Sequence, residues 1–167
     1  TENPKILPII IERTKRMFDV DLDPAFIANA FKAHPFMYKL WKKYPGLRVP
    51  QSWDPFETTI CSVLGQFVSI KAARSFIAQL VENYGECVPH PLTKENAFIF
   101  PTAEKLAMAS LEEIKTTNVR KQTIRDIAKL TIENAINFSI PQDLAVARAK
   151  LLEIRGIGPW TADYICL

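Results

Sequence analysis

Two glycines one residue apart, Gly156 and Gly158, stand near the end of the chain in "EIRGIGPWTADYICL", Glu153 to Leu167. The chain has five glycines in all, so a pair in one turn marks a backbone that bends sharply or comes very close to something. Pro159 suits the first position of a helix. Free N–H groups at such a helix start attract an anion, and a glycine puts no Cβ in the way of a phosphate oxygen. A turn of this kind can hold a nucleic-acid backbone without reading its sequence. Gly-x-Gly alone is also an ordinary capped connection between helices. Trp160 and Tyr164, four residues apart, share a helix face, and their spacing by itself leaves them as core aromatics or as site residues. In "LGQFVS", Ser69 reads as a helix cap, and Phe67 continues an apolar stripe from Phe56.

These residues need helices to position them. Asn3-Pro4, Asp23-Pro24 and Asp54-Pro55 each place a capping side chain before a proline in the first helical position. Ser110 with Glu113 reads as a capping box. Three-four apolar spacing runs through Phe56, Ile60, Val63, Leu64 and Phe67, then through Ile70, Ala73, Phe76, Ile77, Leu80, Val81 and Tyr84. It returns at Ile124, Ile127, Ala128, Leu130 and Ile132, and again from Leu144 through Ala147, Leu151 and Leu152 to Ile154. The last of these helices is expected to start at about Pro141 or Gln142 and to end at Ile154. No strand alternation stands out, so an all-α fold is expected, with loops at Tyr44–Trp53 and Gly85–Thr102. The expected organisation is one continuous domain: N-terminal helices over residues 1–50 packing on a core lobe, the helical core lobe over 51–140, and the glycine turn with its two helices over 141–167.

Composition narrows the function classes. Hydrophobic residues at 48% and charged residues at 23% are those of a folded globular chain. The longest apolar run, Ile6 to Ile11, is far short of the roughly 20 residues of a membrane span, so no membrane partner is expected. With no signal peptide apparent, the cytoplasm is the expected location, or the nucleus for a eukaryotic chain. Cys61, Cys87 and Cys166 are odd in number and widely spaced, which argues for small core residues rather than a disulfide framework or a zinc site. The net charge of +3 permits nucleic-acid binding, and the balance is uneven. Lys115, Arg120, Lys121, Arg125 and Lys129 face only Asp126 between positions 115 and 129.

"LLEIRGIGPWTADYICL" resembles the helix-hairpin-helix signature of the base-excision DNA glycosylase superfamily. "FDVDLDP", "YPGLRVPQSWDPFETTICSVLGQFVSIKAA", "FPTAEKLA" and "VRKQTIRDIAKL" resemble, in order, successive pieces of the bacterial 3-methyladenine DNA glycosylase II family. The resemblance runs from about Phe18 to Leu167. It implies that backbone amides at Gly156 and Gly158 hold a DNA phosphate, with Arg120 and Lys121 nearby, and that Phe67 is a wedge filling the gap left by a flipped base. Gln66 is then expected beside the wedge, facing the lesion or its partner strand. Trp160 stands where strand-cleaving relatives carry a nucleophilic lysine, which implies the monofunctional branch. Trp160 and Tyr164 become walls of the base pocket. An aromatic pocket suits positively charged N-alkylated purines, with 3-methyladenine and 7-methylguanine as examples.

The resemblance further implies a monovalent or calcium ion on the backbone carbonyls of Leu152, Ile154 and Ile157, and no other cofactor. The partner is double-stranded DNA with damaged bases, bound by a monomer. The family's catalytic aspartate is expected beyond Leu167, so this chain is expected to hold no catalytic residue; Asp163 lies too close to the turn to replace it. The chain is accordingly expected to be a fragment, inactive as given, and the relatives' β-rich N-terminal domain absent or reduced. A non-catalytic helix-hairpin-helix DNA-binding module is the alternative.

Overall fold

The computed structural model describes residues 4–136 and 143–166. These divide into two compact units, one through Trp53 and one from Asp54. No break separates core from hairpin, which belong to the same unit.

The first unit, through Trp53, begins with a 3-10 turn at Pro4–Ile6, followed by α1 (Leu7–Met17), α2 (Pro24–Phe31) and α3 (Pro35–Lys43). Asp23 caps α2 as its sequence implies, accepting the N–H of Ala25 at 2.9 Å ahead of Pro24. Asn3 lies outside the described residues. The loop expected after Tyr44 is tied back by the Gln51 N–H donating to the carbonyl of Met17 at 2.8 Å. Phe31, Leu40 and Trp41 help line an apolar cavity of about 730 Å³ in this unit.

The second unit contains α4 (Pro55–Gly65), α5 (Ile70–Tyr84), β1 (Glu86–Pro89), β2 (Asn96–Ile99), α6 (Ala103–Met108), α7 (Asn118–Ile132), α8 (Leu144–Leu152) and α9 (Pro159–Ile165). Asp54 and Ser69 cap α4 and α5 as expected. Thr102, Thr117 and Asp143 do the same for α6, α7 and α8. The core is built by Ile60, Val63 and Leu64 of α4, Leu80 of α5 and Ile124, Ile127 and Ala128 of α7, all 0% exposed. Leu151, Ile154, Ile157 and Ala162 extend it under the glycine turn. Burying these side chains at about 1.5–3 kcal/mol each fixes the hairpin to α4 and α7.

Four expectations are corrected. The segment after Gly85 is an antiparallel β-hairpin, pairing Glu86 with Ile99 and Pro89 with Asn96. Its strands are only four residues long, too short to show alternation. No helix starts at Ser110: Leu111 takes a left-handed φ of 60°, and Glu113 instead accepts a hydrogen bond from the Tyr84 hydroxyl. The stripe positions Ile70, Ile132 and Leu144 are exposed. Cys87 is exposed on β1, while Cys61 and Cys166 are half-buried. Of the helix before the glycine turn, the described part begins at Leu144, and the start expected at 141 or 142 lies outside the described residues. No helix among the described residues is long and apolar enough to cross a membrane.

Candidate nucleic-acid interface

The turn "RGIG" joins α8 to α9, and its two glycines are there for different reasons. Gly156 has φ +97°, where a side chain is strained, and a Cβ would stand 2.2 Å from Oγ1 of Thr123 on α7. That hydroxyl, buried at 1% exposure, lies near the carbonyls of Val119 (2.9 Å) and Arg155 (2.7 Å) and so binds the turn to α7. The fold itself therefore requires glycine at 156. Gly158 is different. It caps α9 in extended geometry, φ −94° and ψ 172°, and a Cβ there meets nothing within 4 Å. Its lack of a side chain leaves the backbone open to something arriving from solvent, at the end of a helix whose first N–H groups have no intrahelical acceptor.

Trp160 and Tyr164 stack on each other, with ring centroids 5.5 Å apart and planes 11° apart. Holding a base between them would need roughly 7 Å, twice a stacking distance. They therefore form one platform rather than two facing walls, and it is open to solvent, Trp160 being 71% exposed. Phe67 is also open, but more so. It follows the end of α4 with φ 52°, and its side chain is fully exposed at 103%. An aromatic ring with no cover, on a residue whose left-handed backbone costs about 1–2 kcal/mol, is not core. The apolar stripe ends at Leu64, because α4 ends at Gly65 and helical periodicity no longer applies beyond it.

Gln66 does not face outward as expected. Its side chain is 9% exposed, and Nε2 donates to the carbonyl of Gly156 and to the Thr161 hydroxyl, each at 3.0 Å. A carbonyl only accepts, which fixes the orientation of the amide. The exposed Phe67 thus begins one residue from a side chain anchored in the glycine turn.

Residues 1–54 match the model of the AlkA N-terminal domain. The chain is 33% identical over 155 residues to a probable bifunctional transcriptional activator/DNA repair enzyme AlkA of Mycobacterium tuberculosis, covering 93% of this chain and 31% of that protein. It is 29% identical over 160 residues to DNA-3-methyladenine glycosylase 2 of Escherichia coli, covering 94% of this chain and 54% of that one. The chain is thus similar in sequence to a probable AlkA-type DNA repair enzyme and to a DNA-3-methyladenine glycosylase. It spans about half the length, or less, of these curated relatives. The fold agrees: an 8-oxoguanine glycosylase/lyase of Clostridium acetobutylicum, solved with double-stranded DNA, superposes with a TM-score of 0.70 at 20% identity, over 98% of this chain and 56% of that one. The relatives' β-rich N-terminal domain is expected to be absent or reduced; residues 1–54 match the AlkA N-terminal domain model, and the elements described there are helical.

The basic residues expected at the DNA are engaged within the fold. Arg120 donates to the Gln66 carbonyl and, at 3.3 Å, to the Thr116 hydroxyl. Lys121 is buried at 6% exposure and pairs with Glu112 at 3.4 Å. Both sit in the first turn of α7, where the sequence shows two cations and not that one of them points inward. Arg155, beside the glycine turn, is exposed and lines a polar cleft of about 500 Å³ with Asn118, Gln122 and Arg125. Thr123 and Thr161, which hold the turn, carried no sequence signal beyond their place next to apolar positions.

Asp163 on α9 is ion-paired with Arg148, whose guanidinium it holds above its ordinary pKa through that hydrogen bond and charge. Its carboxylate is thus occupied. No cluster of three or more His, Cys, Asp or Glu side chains able to hold a metal occurs among the described residues. The carbonyl of Ile154, one of the three expected to hold an ion, accepts the N–H of Ile157 across the turn at 3.0 Å.

Proposed function

We propose that this chain forms the DNA-gripping and base-exposing part of a monofunctional DNA glycosylase that removes N-alkylated purines, 3-methyladenine and 7-methylguanine among them, from double-stranded DNA. The observation that carries the reading is the anchoring of the turn bearing Phe67 to the glycine turn through Gln66. It ties the exposed Phe67 to the turn that ends at Gly158, where an added Cβ would meet nothing within 4 Å.

In this reading the amides of Gly158 and the first turn of α9 hold one backbone phosphate, and Phe67 enters the stack where the base has left. Filling that gap offsets the few kcal/mol that unstacking and unpairing cost. The flipped base meets the face of Trp160 and Tyr164. A positively charged alkylpurine gains about 0.5–2 kcal/mol there from cation–π attraction, which a neutral base does not. Trp160 has no amine to form a Schiff base, so the products are a free base and an intact abasic strand.

The carboxylate that stabilises the oxocarbenium-like state is proposed to lie outside residues 1–167, since Asp163 is engaged with Arg148. A monovalent or calcium ion on the carbonyls of Leu152, Ile154 and Ile157 would stiffen the turn; uncharged oxygen donors are the hard ligands such ions take. The protein works as a monomer on chromosomal DNA, in the cytoplasm of a bacterial cell or the nucleus of a eukaryotic one.

A base-release assay on methylated duplex DNA tests the reading. Residues 1–167 bind the duplex but release no base, while a longer chain carrying the aspartate releases methylpurines without nicking the strand. Release of 3-methyladenine by residues 1–167 overturns the placing of the aspartate. Strand cleavage by the longer chain overturns the monofunctional assignment, and binding with no release by either leaves a non-catalytic DNA-binding module.

A further inference from the structure

Gln66 is the only glutamine side chain among the described residues that reaches both sides of the glycine turn, its amide touching Gly156 in the turn and Thr161 on α9. Its backbone is held as well, with its carbonyl accepting from Arg120 on α7. The next residue, Phe67, is fully exposed, and its left-handed φ of 52° aims it away from the helix it follows. The chain is caught again at Ser69, whose side chain caps α5 through the N–H of Ala72 at 3.2 Å. Phe67 is therefore held on both sides, by a polar clamp before it and a helix cap after it.

We propose that Gln66 is a positioning residue for base extrusion: it fixes the Phe67 wedge in register with the phosphate grip of the Gly156–Gly158 turn, so that gripping the backbone and filling the gap occur as one event. This rests on the DNA-binding reading above and adds a role that Gln66 plays without touching DNA. A buried amide bridging a carbonyl and a hydroxyl is directional, where an apolar side chain of the same size would pack but set no register. Both amide hydrogens are used, so a substitution that keeps volume and removes the donors leaves Gly156 and Thr161 to relax independently of Phe67.

The test is the ratio of affinities for a duplex with a tetrahydrofuran abasic site and for the same duplex intact. Gln66→Met is expected to lower that ratio about tenfold, the scale of losing one to two net hydrogen bonds. In a Phe67→Ala background the ratio is expected to fall no further, because the wedge being positioned is gone. A merely structural role predicts otherwise: both affinities fall together, the ratio holds, and the urea midpoint drops in step. That outcome, or additive effects of the two substitutions, overturns the inference. Thr161→Val, which removes one of the two acceptors, serves if Gln66→Met does not fold, and must lower the same ratio. If the unsubstituted protein shows no preference for the abasic duplex, or Phe67→Ala does not abolish it, the DNA-binding reading fails instead.

Discussion

Replacing each glycine of the turn by alanine separates what the fold needs from what the ligand needs. At Gly156 the new Cβ stands 2.2 Å from Thr123 Oγ1 on a backbone with φ +97°. The backbone cost alone is about 1–2 kcal/mol. Relieving the overlap moves the Thr123 hydroxyl away from the carbonyls of Arg155 and Val119, and leaving such groups unpaired in the interior costs about 1–3 kcal/mol more. Gly156→Ala is therefore expected to lose about 2–5 kcal/mol, a large share of the 5–15 kcal/mol that holds a domain together. At about 4 °C per kcal/mol, its unfolding midpoint drops by roughly 10 °C or more. Gly158→Ala meets nothing within 4 Å and keeps an ordinary φ, so its midpoint should stay within about 2 °C of the parent. Its methyl group instead blocks the approach to α9, and DNA affinity is expected to fall about tenfold, the scale of one charge-assisted hydrogen bond. Thermal melts followed by circular dichroism, with anisotropy titration on a short duplex, read both effects. A Gly156→Ala protein melting with the parent refutes the packing argument, and a Gly158→Ala protein binding DNA normally refutes the phosphate grip. Thr123→Ala in the Gly156→Ala background removes the overlap but also the hydroxyl that the Arg155 carbonyl accepts from, so it should recover only a fraction of the loss and leave the backbone part.

The paired Lys121 and the half-buried Cys61 thiol give two more tests. Lys121→Met is expected to leave the melting midpoint unchanged or to raise it, since an apolar side chain replaces a buried ammonium, and DNA affinity should not move. Glu112→Gln, which leaves that ammonium without its counter-charge, should lower the midpoint. Burial, with a smaller contribution from Glu57, pushes the Cys61 thiol up to about 12. Iodoacetamide at pH 8 should therefore label the exposed Cys87 first and leave Cys61 unmodified until denaturant is added, as mass spectrometry of the peptides would show.

Short-range signals in this sequence translated directly into structure. Asp23, Asp54 and Ser69 cap helices because a cap is decided within three residues, and Gly156 takes a left-handed φ where the "GIG" spelling implied a tight turn. What went unread was long-range. Phe67 keeps the spacing of a core stripe, yet one residue earlier Gln66 turns inward to partners ninety or more positions away, and the ring is left in solvent. Lys121 looks like any cation in a basic run until Glu112 is brought beside it. The aromatic pair has the spacing expected, but whether two rings face each other across a gap or stack is set by side-chain rotation, and here they stack. Ser110 and Glu113 form a capping box in spelling only, because Glu113 is drawn to Tyr84 from a separate helix.

The central claim is that a wedge and a phosphate grip act together on DNA lacking a base in its stack. The affinity for a duplex with a tetrahydrofuran site, against the same duplex intact, measured at 50 and 200 mM salt, tests it most directly. Binding of the abasic duplex is expected to be at least about tenfold tighter at both salts, with both affinities falling as salt rises and the preference lost in Phe67→Ala. Equal affinity for the two duplexes, or binding indifferent to salt, would contradict it.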